Sequence, residues 1–379
     1  MSELGPLVVI VGLVYFFQCI CWAPTSAVVF EAEFPKSEKR TDGQQDGNRF
    51  ESQSGKKKRG FAWSALHVAG FWANPLPPLD ALLVVNWPGF HLNPEAIQLG
   101  HPEAGLVSIP WEALRVSHSG SKLFCNEVPV FQGPDDQIAR YQELLQRVGD
   151  AKPKIRQQMI EAWLRKAMDI DAMESRVELF RRKSWWLRIV VNLQFFLLFL
   201  VVPVVFIRFG TRALWPAIIA VLAADIVIAL EFWRLHKFFY STENEARIKS
   251  AITILFSPIS AIRAMDAVVR DLLNDFHPVA VATVVCAPEQ FESFAGEQLR
   301  QYKFSRSGAS WFTGQMQTSL AQIVEKQGVQ VKRLLAAPPQ ESSCVVYCPR
   351  CLAQYVEIRP ACADCGYEHL LPLAAAKKA

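Results

Sequence analysis

Four cysteines near the C-terminal end, Cys348-Pro-Arg-Cys351 and Cys362-Ala-Asp-Cys365, form two C-x-x-C pairs with ten residues between them. A thiolate is a soft anionic ligand, and a C-x-x-C turn holds two sulfurs on one side of a tight loop whose amides stabilise their charge. Two such turns face to face supply the sulfur tetrahedron that zinc takes at about 2.3 Å per bond. Iron also accepts four sulfurs, so a rubredoxin-like electron carrier is the alternative chemistry. With four protein ligands there is no open coordination position, and the expected role is structural. Cys344 and His369 fit neither pair, Cys19 and Cys21 lie in an apolar run, and Cys125 and Cys286 stand alone. The pattern is that of a reduced metal site rather than a disulfide framework.

Between the pairs, Gln354 to Ile358 alternates like a strand and can carry the chain from one knuckle to the other. Gly366 follows Cys365, where a knuckle calls for positive φ, while Leu352 occupies the matching place after Cys351. These residues resemble a zinc ribbon, here assigned to 341–371, and the resemblance implies zinc on Cys348, Cys351, Cys362 and Cys365.

A ribbon beside a membrane needs anchors, and three apolar runs have the length. Residues 4–23 are apolar but for Gln18, and about 1.5 Å of rise per residue matches a ~30 Å hydrocarbon layer. No Lys or Arg precedes this run, which weighs against a cleaved signal peptide. Lys36, Lys39, Arg40, Arg49 and Lys56 to Arg59 follow it, placing the N-terminus outside the cytoplasm. Residues 188–207 come after Arg181, Arg182, Lys183 and the pair Trp185-Trp186, a cytoplasmic boundary with interfacial aromatics. Residues 213–233 follow a short link, so the two runs form a hairpin with its tip outside. The expected protein is a multi-pass inner-membrane protein whose soluble segments and C-terminus are cytoplasmic.

Asp225 falls mid-run, where a carboxylate costs roughly 2.5–3.5 kcal/mol unless it meets a partner or water. Either it is an ion or proton site, or it hydrogen-bonds Asn192 or Gln194 and pins the hairpin, the favoured reading. In layout alone the chain is similar to the ExbB/TolQ proton-channel subunits, which implies the alternative of an ion-conducting or transport complex.

Residues 34–60 are polar, charged and poor in apolar groups, the composition of a disordered linker. Over 61–149, short β-type runs at Leu82–Val85, Ile97–Leu99, Leu106–Ile109, Leu114–Val116 and Val128–Phe131 precede a helix that Asp135 or Asp136 can cap and Gly149 can end. A small sheet closed by one helix, with Ile109-Pro110-Trp111 leading into Leu114, resembles the bacterial PH-like domains over residues 80–149. That resemblance implies a lipid or protein adaptor. Residues 153–187 read as a charged amphipathic helix with a stripe of Ile160, Leu164, Ala167, Ile170 and Met173. In 237–340, an amphipathic helix over 259–276, a strand over 279–286, helices, and a strand over 329–335 predict a small α/β unit.

The fold class expected is therefore a multi-domain α+β membrane protein. A formal charge of +4 is too small for a dedicated nucleic-acid binder. Seven scattered histidines, with no metalloprotease helix, nucleophile elbow or phosphate loop, argue against catalysis. Expected partners are the lipid bilayer, unidentified proteins and further copies of the chain, and the expected work is scaffolding or regulation.

Overall fold

The computed structural model describes residues 73–373 except 75–78, 80, 102–104, 211–213, 242, 306–309 and 342, together with strands at 27–32 and 62–67 and helical residues within 10–17. Only part of the first apolar run is thus described, and the linker at 34–60 lies outside the described residues.

Strand β1 (Ala27–Ala32) lies between β2 (Ala62–His67), antiparallel to it, and β3 (Leu83–Trp87), parallel to it. Two antiparallel three-stranded meanders follow. The first is β4 (Phe90–Leu92), β5 (Ala96–His101) and β6 (Gly105–Pro110); the second is β7 (Val116–Ser119), β8 (Lys122–Cys125) and β9 (Val128–Gln132). Asn126 and Glu127, both at positive φ, make the tight β8–β9 turn, and the Asn126 carboxamide accepts from Arg115 N at 2.7 Å. Helix α1 (Asp135–Asp150) lays Ile138, Tyr141, Leu145 and Val148 on this β core. Neither expected cap forms: Pro134 takes the N-cap position, and Asp135 and Asp136 sit in the first turn, where their charge favours the helix dipole.

The charged helix expected over 153–187 is broken. α2 (Pro153–Ala167) ends at Met168, and α3 (Ile170–Lys183) restarts on Asp169, whose carboxylate accepts from Ala172 N at 2.9 Å. Its apolar stripe docks on the protein itself. Ile160 and Leu164 complete the β core, while Ile170, Met173, Val177 and Phe180 enter a second, helical core.

Helices α4 (Trp185–Phe209) and α5 (Leu214–Phe239) are long and apolar enough to cross a membrane. A widened turn at Leu197–Val201 in α4 precedes Pro203, which has no N–H for the helical ladder. The ring of Phe16, from the first apolar run, packs 5.3 Å from that of Phe199.

Beyond α5 the expected α/β unit is helical: α6 (Asn244–Phe256), α7 (Pro258–Ile262), α8 (Ala264–Val269), α9 (Pro278–Val285), α10 (Pro288–Lys303), α11 (Trp311–Lys326) and α12 (Val331–Leu334). The helix expected over 259–276 is two short helices and a run of turns. The strand expected over 279–286 is α9, where Pro278 occupies the first turn and the buried His277 ring accepts from Val279 N at 3.2 Å. Val279 to Ala282 are all fully buried, so no polar face reveals the period, and a buried helix and a buried strand then look alike. The strand expected over 329–335 is the single turn α12 after Gly328, which takes φ 75°.

Phe312 and Met316 of α11 enter the β core, and Phe312 N donates to the Asn93 side chain at 3.1 Å, so the β-rich segment and the C-terminal helices share packing. Where α1 meets the turn after α5, Glu243 faces Asp136. Burial first, then the bond to Asp136 and the charges of Asp136, Asp271 and Asp135, push its carboxyl up to about 8. His236 Nε2 is 3.9 Å from its carboxylate, and burial together with the charge of Arg247 keeps that imidazole neutral by lowering it to about 4. The folded chain thus holds a proton that the unfolded chain releases above its ordinary value near 4.5. Stability from this group, full below that value, is lost as pH rises toward 8. Glu243→Gln is expected to flatten this slope and to raise stability at pH 8 by on the order of 2 kcal/mol, read from thermal midpoints in detergent across pH 5 to 8.

Candidate metal centre

The four-cysteine segment, called the ribbon below for the expected assignment, is framed by three short antiparallel strands, β10 (Val346–Tyr347) between β11 (Gln354–Tyr355) and β12 (Leu371–Pro372). Each knuckle closes the same way. Leu352 N donates to Cys348 O at 2.8 Å and Gly366 N to Cys362 O at 2.7 Å, and both residues take positive φ, 63° and 66°. Cys348 N bonds Ala353 O and Cys362 N bonds Tyr367 O, each at 2.8 Å. Leu352 adopts the left-handed conformation despite its Cβ, and it packs against Cys344, Tyr347 and Leu373, which offsets that strain. Gly366→Ala would place a Cβ on a left-handed backbone at φ 66° and is expected to destabilise this segment by about 1–2 kcal/mol, read as earlier metal release in a chelator titration.

The four sulfurs of Cys348, Cys351, Cys362 and Cys365 lie within 4.8 Å of one another. Cys348 and Cys365 approach to 3.6 Å and Cys351 and Cys362 to 3.5 Å. A tetrahedron with bonds of about 2.3 Å has edges of about 3.8 Å, so the set matches metal coordination. A disulfide would need sulfurs about 2.05 Å apart, and all four thiols are free. Crowding makes the thiols compete for protons. Hydrogen bonds with Cys351 and Cys365 draw Cys348 down to about 3, and the bond with Cys348 first, then that with Cys365, pushes Cys351 far up. A dication would relieve this conflict by letting every sulfur ionise.

The surroundings add groups that the sequence did not single out. Tyr355 Oη lies 3.0 Å from Cys362 Sγ and 3.3 Å from an Asp364 oxygen, and accepts from Ala363 N at 3.2 Å. It braces the second knuckle, an outer contact that orients the ligands. Gln354 ties the ribbon to its leading chain, accepting from Glu341 N at 3.0 Å and donating to Pro339 O at 2.9 Å. The Tyr367 ring packs 6.1 Å from Phe304, just past the end of α10, whose Arg300 donates to Leu334 O at 2.8 Å.

The other candidates divide. Gln194 Nε2 donates to Asp225 Oδ1 at 2.8 Å and to Val221 O at 3.3 Å, joining α4 to α5 inside the hairpin. Asn192 is not part of this pair, and its carboxamide oxygen has no partner among the described residues. Cys286 ends α9 instead of a strand, and burial pushes its thiol up to about 12, the opposite of an activated nucleophile. Cys344 packs in the ribbon's small apolar cluster and His369 lies against the Tyr367 ring, neither joining the sulfurs.

Set against protein-family models, curated proteins and solved structures, the chain has no match. Its class is a mixed helix and small-sheet protein with two helices of membrane-crossing length and a four-cysteine cluster able to hold a metal ion.

Proposed function

We propose that this protein is a bilayer-anchored scaffold or regulator that presents a structural zinc ribbon to protein partners at the cytoplasmic face of the inner membrane. The observation that carries this is the cluster of four sulfurs within 4.8 Å of one another, which as a four-ligand metal site would leave no coordination position for a substrate. The ribbon also turns Val345, Val356 and Ile358 to solvent, with Ile358 at 84% exposure, although it is too small to spare apolar surface. Two antiparallel sheets followed by α1 are consistent with the PH-like adaptor resemblance. The basic and aromatic flank at Arg181 to Trp186 supports a cytoplasmic placement.

Quantitative co-purification of the full chain and of a chain lacking 341–379 tests the proposal, with elemental analysis of each. Zinc at one per chain and partners lost on truncation are expected. An unchanged partner set would falsify the scaffold role, and iron with visible absorbance would replace it by electron transfer.

The second reading, an ion or proton site in a membrane complex, is favoured by one detail. Asp225 is fully buried, and its Oδ2 has no partner among the described residues.

A further inference from the structure

After α5 the chain turns at Tyr240–Glu243, and α6 runs back alongside α5. α7 then seats Ile259 and Ile262 against Phe195, Leu198 and Phe199 of α4. Gln194, which bonds Asp225, fixes this level as the middle of the hairpin. Two lengths agree on the depth. From Trp185 to Phe195 is ten residues, about 15 Å of helix, and α6 with its 13 residues climbs about 20 Å.

The composition suits that depth. Residues 250–262 contain no charged side chain. Ile248, Ile252 and Phe256, four residues apart on one face of α6, are exposed, Phe256 at 80%, and resemble the exposed apolar positions Phe196 on α4 and Leu230 on α5. In water this face would be an unpartnered stripe of large side chains. At the start of α6, Arg247 is buried with its guanidinium 5.2 Å from the Trp233 ring, and Lys249 is exposed. Past the uncharged run, Arg263 follows α7 at depth, and its charge is offset by two bonds to Asp266 at 2.6 and 2.9 Å.

Part of the backbone at the deep turn is paired locally, which lowers the cost of a hydrocarbon setting. Pro258 has no N–H to strand at the start of α7. Ser257 Oγ accepts from Ser260 N at 3.3 Å, and Ser257 O from Ala261 N at 2.9 Å.

We infer that residues 244–262 form a re-entrant element in which α6 enters the bilayer from the cytoplasmic face, packs one side on α5, exposes Ile248, Ile252 and Phe256 to acyl chains, and turns at Ser257-Pro258 near mid-depth. This rests on the reading of α4 and α5 as membrane spans. It replaces the expectation that the whole of 237–340 is cytoplasmic.

Hydroxyl-radical footprinting of the unmodified chain in phosphatidylethanolamine and phosphatidylglycerol vesicles tests it, because Phe256 and Ile358 are almost equally exposed in the fold. After correction for intrinsic reactivity, Phe256 should oxidise an order of magnitude more slowly than Ile358, as slowly as Leu230. Vesicles carrying a diazirine on the acyl chain should then label the peptide containing 252 and 256. Oxidation of Phe256 at the rate of Ile358 with Leu230 protected would overturn the re-entrant element alone. Oxidation of both Phe256 and Leu230 would overturn the spans as well, and protection of Phe256 without an acyl-chain adduct would assign the face to protein instead of lipid.

Discussion

Cys362→Ser is expected to abolish metal binding and unfold the ribbon while the helical body stays folded. The ribbon's apolar cluster consists of Cys344, Tyr347 and Leu373 with Leu352 packed on it. Burying such side chains contributes about 1.5–3 kcal/mol each. Ordering some thirty residues costs roughly 1–2 kcal/mol apiece in backbone entropy. The apolar cluster falls well short, whereas a structural zinc contributes about 10–16 kcal/mol in small zinc-binding peptides. Losing one sulfur also frees Tyr355 and the Cys365 amide, both of which contact Cys362 Sγ. The measurement is metal per chain by elemental analysis, with limited proteolysis of 341–373. Cys286→Ser, a substitution at a site away from the four sulfurs, should leave metal content unchanged. Full metal retention in Cys362→Ser would sink the four-sulfur assignment.

The cysteines were legible because ligand chemistry demands a residue type and a spacing that few other constraints produce. The strands around Ile97, Val107 and Val130 were legible for a similar reason, since each is short and bounded by turn residues. What failed was the fully buried segment. At Val279 to Ala282 every side chain is inside, so neither period is written in the residues, and β-branched content pointed the wrong way. The break at Asp169 was missed because the apolar stripe runs through it in phase, serving two cores in succession. Tyr355 reaches the four sulfurs through folding alone, and the uncharged run at 250–262 drew no membrane reading because it is shorter than a full span.

Gln194→Leu is expected to destabilise the hairpin by about 3–5 kcal/mol, because it strips a fully buried carboxylate of its described side-chain donor. Asp225→Leu should cost less, about 1–3 kcal/mol, since it takes from a neutral amide one of its two acceptors and leaves Val221 O. The double Leu variant should recover much of either loss, because a pair replaced by apolar groups leaves no unsatisfied polar atom. Asp225→Asn keeps the acceptor for Gln194 Nε2 and should be tolerated. Thermal unfolding in detergent gives the cycle, and proton flux in vesicles runs alongside it. If the pair is a pin, Asp225→Asn leaves flux at the level of the unmodified chain, and stability alone orders the variants. If Asp225→Asn keeps its stability and loses a flux that the unmodified chain supports, the unpartnered Oδ2 is the working atom and the hairpin is a conduction element. Loss of stability in Asp225→Asn comparable to Gln194→Leu would contradict both readings, because the amide retains the only bond that the carboxylate makes to Gln194.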